Sequence, residues 1–180
     1  MAVPILPPTM IDEVSKLVAQ YILAQRETYI TRAVPLTEVQ RREMAPFFSP
    51  ELLDATRLAV LTGERVSNPE FYPILQAAGF DNLPNQSEMA AITFSDCVVS
   101  HVPFANPLLF HELVHVEQYR QLGVPHFADL YLKGFLKGGG YFEIPLERNA
   151  YALGNQYEGD SSHHFSVATE VAQWISEGRF

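Results

Sequence analysis

Apolar side chains recur at three- and four-residue spacing between Thr9 and Thr31. Ile11, Val14, Leu17, Val18, Tyr21 and Ile22 share one face, which predicts an amphipathic helix. Pro35 ends that region. Thr37, with Gln40 three residues on, resembles a capping box for a short helix that stops before Pro46. Ser49-Pro50-Glu51 supplies a cap, a first-turn proline and an acid near the positive helix end, so it predicts another start. Arg57 to Leu61 reads as a strand rather than a continuation of that helix, and Gly63 closes it. Asn68-Pro69 is expected to open a helix to about Ala78, with Gly79 in the left-handed position after its end.

The clearest β signal is Met89 to Val99, where Ile92, Phe94, Val98 and Val99 lie between Pro84-Asn85 and Pro103. Asn106-Pro107 then opens a helix carrying Leu108, Leu109, Leu113, Val114 and Val116, ended by Gly123 and Pro125. Further helices are expected from Pro125 to Lys137, stopped by Gly138-Gly139-Gly140, and from Pro145 to about Gln156. A polar loop with His163-His164 precedes a last helix from Val167 to Ser176. The chain contains no internal repeat, low-complexity tract or convincing linker, so one α+β domain, mostly helical with a small sheet, is expected.

Composition narrows the chemistry. The 180 residues are 47% hydrophobic and 18% charged, which supports a sizeable core and excludes wholesale disorder. Net charge is -9, and the 12 lysines and arginines never form a run, so nucleic acid is not an expected partner. Cys97 is the only cysteine, which excludes an internal disulfide, a zinc finger and an iron–sulfur cluster. No stretch approaches the roughly 20 apolar residues that span a bilayer. The N-terminus lacks the basic region of a signal peptide, so a cytoplasmic protein without membrane contact is expected.

The informative residues are His111-Glu112-Leu113-Val114-His115, an H-E-x-x-H inside a strongly bounded helix. Positions i and i+4 stack on one helical face, so both imidazoles can converge on one Zn²⁺. Glu112 sits beside them and can act as general base toward a water activated there. A third ligand is needed. The extended metzincin pattern would place glycine and histidine at 118 and 121, where this chain has Gln118 and Gln121. Glu147 is the leading candidate: Pro145 puts it in the first turn of the following helix, and Ala150 permits close helix approach. Glu143 is its main rival, and His126, Asp129 and His101 are lesser ones.

Other polar residues carry weaker signals. Tyr141 and Tyr151 flank Glu147, and either hydroxyl could contact substrate or a developing oxyanion. Tyr119 lies near the His111 face of its helix, where packing is the commoner use of an aromatic. His163 could swing over a metal, although surface histidines are commoner. Cys97 is expected to face the interior.

Two stretches together resemble a known family. Ala91-Ile92-Thr93-Phe94-Ser95-Asp96, followed by Leu108-Leu109-Phe110-His111-Glu112-Leu113-Val114-His115-Val116-Glu117-Gln118-Tyr119-Arg120, resembles small bacterial zincin-like domains with an HEL-x-H-x-x-Q-Y-R helix, many of them of unknown function. Gly123, Phe127, Tyr131 and Pro145-Leu146-Glu147-x-x-Ala150-Tyr151 fit the same pattern, and the likeness covers about residues 88–155. It implies a small sheet packed on the active-site helix, with an edge strand within Ala90 to Val99 that holds an extended peptide. For gluzincin-type members it also implies a glutamate ligand from a second helix, here Glu147. On this reading residues 1–180 form a single zincin-like domain. Residues 1–85 make a mainly helical N-terminal part, 86–157 the metal-site core, and 158–180 a C-terminal loop and helix.

The leading expectation is a zinc metallopeptidase acting on peptide or protein substrates, with His111, His115 and Glu147 on Zn²⁺ and Glu112 as base. An alternative keeps the zinc but not the proteolysis, as a regulatory or interaction module. A third is a metal-free helical interaction protein.

Overall fold

A computed structural model describes residues 5–137 and 140–180. Met1 to Pro4, and Gly138-Gly139 of the expected helix stop, lie outside the described residues. The fold is α+β and mostly helical, with a four-stranded mixed sheet. In chain order the elements are α1 (Pro8–Ile30), β1 (Val34–Pro35), α2 (Glu38–Met44), α3 (Pro50–Ala55), β2 (Arg57–Val60), α4 (Tyr72–Ala77), β3 (Ala91–Phe94), β4 (Cys97–Ser100), α5 (Asn106–Leu122), α6 (Val124–Leu136), α7 (Pro145–Gly159) and α8 (Val167–Ser176). Short 3₁₀ turns cover Gln86–Glu88 and Tyr141–Glu143.

Local chemistry explains most boundaries. The Thr37 hydroxyl accepts from Gln40 N–H while the Gln40 side chain accepts from Thr37 N–H, a complete capping box. Ser49 caps α3 at Leu52 N–H, and Ser166 caps α8 at Thr169 N–H. Gly123, at φ 75°, takes the left-handed conformation that lets α5 stop and α6 start at once.

Two expectations are corrected. α4 begins at Tyr72 and not at Asn68-Pro69, because a helix from there would need an N–H at Pro73 to bond the Pro69 carbonyl, and proline has none. Met89 to Val99 contains two strands, not one. β3 and β4 form a tight hairpin turning at Ser95-Asp96, with Ser95 at φ 63°. With no glycine there, the turn is hidden in the sequence; Arg26 secures it by donating from Nε and Nη2 to both oxygens of Asp96.

The sheet order is β1-β2-β4-β3, with β2 and β4 parallel and the outer pairs antiparallel. Both central strands are covered on two sides. Leu58 and Val98 join Leu109, Phe110 and Leu113 of α5 in one apolar cluster. Ala59, Cys97 and Val99 point the other way, into a cluster with Val14, Ile22, Phe127 and Leu132 from α1 and α6. This explains why β4 is apolar at successive positions: all four residues are buried. Truncating Leu113, which is fully buried, is expected to cost about 2–5 kcal/mol.

The helix bearing His111 is therefore held along its length. Phe110 stacks on Tyr157 of α7 at 4.4 Å, and Tyr119 stacks on Phe127 of α6 at 3.7 Å. No helix among the described residues is long and apolar enough to cross a membrane.

Candidate metal centre

α5 and α7 pack side by side and bring His111, His115 and Glu147 together. His111 Nε2 and His115 Nε2 are 3.2 Å apart, and Glu147 Oε2 lies 3.4 Å from the first and 3.3 Å from the second. Two ligands at about 2.0–2.1 Å in a tetrahedral arrangement sit about 3.3 Å apart, so the three atoms have the spacing of one face of such a site. The group could hold a metal ion.

The surroundings favour the same conclusion. Gln118, fully buried, donates from Nε2 to the Leu146 carbonyl at 2.9 Å and to Asn149 Oδ1 at 2.9 Å. A backbone carbonyl only accepts, so the amide nitrogen must face Leu146 and the amide oxygen must face His115. Gln118 Oε1 accordingly accepts from His115 Nδ1–H at 2.8 Å. In the neutral ring this leaves the Nε2 lone pair aimed at His111 and Glu147. Among the described residues Glu147 Oε2 is buried with no hydrogen-bond donor while both imidazoles are neutral, an unfavourable position that a metal cation or a proton would relieve. Glu147 is the third residue of α7, where the positive helix end also favours a carboxylate.

Electrostatics in the cluster are tightly coupled. Burial alone would raise the Glu147 carboxyl, but His115 and His111 together hold it well below the usual carboxylate range. Burial alone would lower the His115 imidazole; Glu147, then Glu112, outweigh that and hold it up at about 9. Without a metal the cluster thus traps a proton between carboxylate and imidazole. The hydroxyls of Tyr119, Tyr131, Tyr141 and Tyr151 are all raised, first by burial and then by Glu147, and so remain donors.

Glu112 points from the same helix into the adjacent space. Its Oε2 accepts from the Thr93 hydroxyl at 2.7 Å, and the same hydroxyl reaches the Glu112 carbonyl at 3.2 Å. β3 is an edge strand, and its ladder leaves a free side. His101 N–H bonds the Ala90 carbonyl, so by antiparallel alternation Ile92 and Phe94 pair with β4 while the amides of Ala91 and Thr93 face outward. That side borders an open groove of about 530 Å³ lined by His111, Glu112, Tyr141, Tyr151, Met89 and Asn155, among others.

Tyr141 and Tyr151 thus both line the groove, and Tyr151 leans on the His111 ring at 4.5 Å. His163 does not join them; it is exposed in the loop between α7 and α8, where its N–H bonds the Asp160 carbonyl. Glu143 is exposed in the 3₁₀ turn before α7 and is not part of the triad. The lesser rivals are engaged or turned to solvent. His101 accepts from Val66 N–H and contacts the Met89 carbonyl, Asp129 pairs with Lys133, and His126 is exposed.

The sequence reading assigned no role to Thr93, Gln118, Tyr131 or Asn149. Gln118 carried a legible signal, three residues beyond His115 on the same face. Tyr131, whose hydroxyl donates to Glu147 Oε1 at 3.3 Å, is singled out only by the family resemblance and by no local pattern, because only the packing of α6 against α7 makes them neighbours. Comparison of the chain with protein-family models, with curated proteins and with solved structures finds no significant match.

Proposed function

We propose that this protein is a zincin-like, zinc-dependent peptide hydrolase. The observation that carries the reading is the convergence of His111 Nε2, His115 Nε2 and Glu147 Oε2 beside Glu112, at the free edge of a strand. Two imidazoles and one carboxylate are a donor set suited to zinc, with His111, His115 and Glu147 as the holding residues. When bound, Zn²⁺ acidifies water and polarises a carbonyl oxygen.

The chain's own groups supply the rest. The outward amides of Ala91 and Thr93 offer ladder bonds to an extended peptide lying along β3. The Thr93 hydroxyl donates to Glu112 and orients its carboxylate toward the groove. Glu112 takes a proton from the attacking water as the remaining hydroxide adds to the peptide carbon. The C–N bond breaks, and Glu112 returns that proton to the leaving amine; one water is consumed, and once the new acid's proton also passes to the amine the products are one carboxylate and one ammonium. Tyr141 or Tyr151, kept protonated by burial and by the nearby carboxylates, can donate to the carbonyl oxygen as it gains charge.

Elemental mass spectrometry on the purified protein is the first test. One zinc per chain, lost in His115→Ala, supports the site; no metal after zinc is supplied would remove it. The Glu112→Gln variant should retain zinc and lose hydrolysis of a peptide library.

A second reading, a zinc-stabilised module without hydrolysis, is favoured by the burial of His115 and Glu147 and by the placement of all three ligands on two core helices, α5 and α7. Full zinc occupancy together with failure to cleave any library peptide would select it.

A further inference from the structure

Glu147 brings two oxygens to the triad, and their surroundings differ. Oε2 is the oxygen nearer to both imidazoles, 3.4 Å from His111 Nε2 and 3.3 Å from His115 Nε2. Oε1 accepts from the Tyr131 hydroxyl at 3.3 Å. Tyr131 reaches it from α6, a helix that supplies none of the three triad residues.

Two features hold that hydroxyl in place. The Tyr131 ring lies against the ring of Phe127, one helical turn earlier, at 5.9 Å with 18° between the planes. Phe127 stacks in turn on Tyr119 of α5, so Tyr131 ends an aromatic column anchored in the helix that carries both histidines. The second feature is the close approach of α6 to the start of α7. Gly134 is three residues on from Tyr131 and so near the same face, and a β-carbon there would come within 2.7 Å of Pro145 Cδ. That glycine lets the first turn of α7, with Glu147, come within reach of Tyr131.

We infer that Tyr131 is a positioning residue: by holding Glu147 Oε1 it makes Glu147 a ligand through Oε2 alone and keeps one position on the metal open for substrate. The inference rests on the metal-binding part of the hydrolase reading and deepens it. A carboxylate can ligate through one oxygen or through both. Two imidazoles and one carboxylate oxygen fill three positions of a tetrahedral set and leave the fourth open, as a catalytic ion requires. Engaging both oxygens would use that fourth position. A donor on Oε1 stabilises that oxygen away from the metal, while Oε2, which has no donor among the described residues, stays available.

The test replaces zinc with cobalt(II), because a four-coordinate cobalt ion absorbs visible light several times more strongly than a five-coordinate one. The parent should give the intense spectrum. Tyr131→Phe, which removes only the hydroxyl, should give the weak one at the same cobalt content. Acetohydroxamate, a probe for an open metal position, should perturb the Tyr131→Phe spectrum only at concentrations at least about tenfold above those the parent requires. Tyr119→Phe takes a hydroxyl from the other end of the same column and should match the parent in both measurements, whereas a packing role for the column would move both variants together. Coincident parent and Tyr131→Phe spectra, equal sensitivity to acetohydroxamate, a change shared by Tyr119→Phe, or loss of cobalt from a folded Tyr131→Phe protein overturns the inference and leaves the hydrolase reading standing. A parent that takes up neither cobalt nor zinc overturns both. The expected spectra in a protein that cleaves no library peptide support the role of Tyr131 and remove the hydrolase reading.

Discussion

Gln118 joins the two halves of the metal centre, and its replacement gives a calculable effect. Its side chain is fully buried and makes three hydrogen bonds, one to His115 and two to Leu146 and Asn149, which flank Glu147. Gln118→Leu keeps the volume and strands two buried partners, His115 Nδ1 and Asn149 Oδ1, while the Leu146 carbonyl keeps its bond inside α7. Each stranded partner costs about 1–3 kcal/mol, and the added apolar surface returns roughly 1 kcal/mol. The metal-free variant should therefore lose about 1–5 kcal/mol in urea unfolding. Metal affinity should fall by about 10–100-fold in a chelator competition, because His115 and the first turn of α7 both lose their restraint. Gln118→Glu should be milder. Its oxygens still accept from His115 Nδ1–H, and the Asn149 amide nitrogen, which has no partner among the described residues, can turn to donate to it. A Gln118→Leu protein within about 1 kcal/mol of the parent, with metal affinity unchanged, would refute the claim that this amide positions the ligands.

Four further outcomes are expected. In the metal-free protein, His115 holds its proton up to about 9 against an ordinary 6.5, and Glu147 stays ionised below its ordinary 4.5. Stability should accordingly fall as pH rises from 6.5 to 9 and again as it drops below 4.5. Metal uptake should release about one proton at pH 7.5, read by calorimetry in two buffers of different ionisation heat; no release would contradict the trapped proton. Gly134→Ala, favoured by about 1 kcal/mol on helix propensity alone, should instead destabilise in thermal melts and weaken metal binding. The added carbon would lie 2.7 Å from Pro145 Cδ and 3.2 Å from Ile144 Cγ2, at the start of the helix that carries Glu147. The Cys97 thiol, pushed up to about 11 by burial and then by Asp96, should resist a disulfide reagent at pH 8 and react promptly in urea. Prompt reaction of the native protein would refute its burial in β4.

Local sequence determined much of this protein. The three-and-four spacing of α1, the capping box at Thr37, the Pro–Gly bounds of α5 and the Pro145 start of α7 each act within a few residues, and each is present in the structure. His111 and His115 belong to the same category, since one helical turn places them together without help from the rest of the chain. Glu147 was legible as a first-turn carboxylate, but only the packing of α5 against α7 brings it to 3.3–3.4 Å from both imidazoles. Tertiary structure also decided where Met89 to Val99 folds back, since the turn at Ser95-Asp96 depends on Arg26, seventy residues away. An apolar cavity of about 120 Å³ beside the triad belongs to packing as well. Its walls come from α1, α4, β3 and α6, and no local pattern in any of them records that they enclose it. Periodicity and capping report how a segment meets water and its own backbone, whereas a site assembled across elements exists only once those elements have packed.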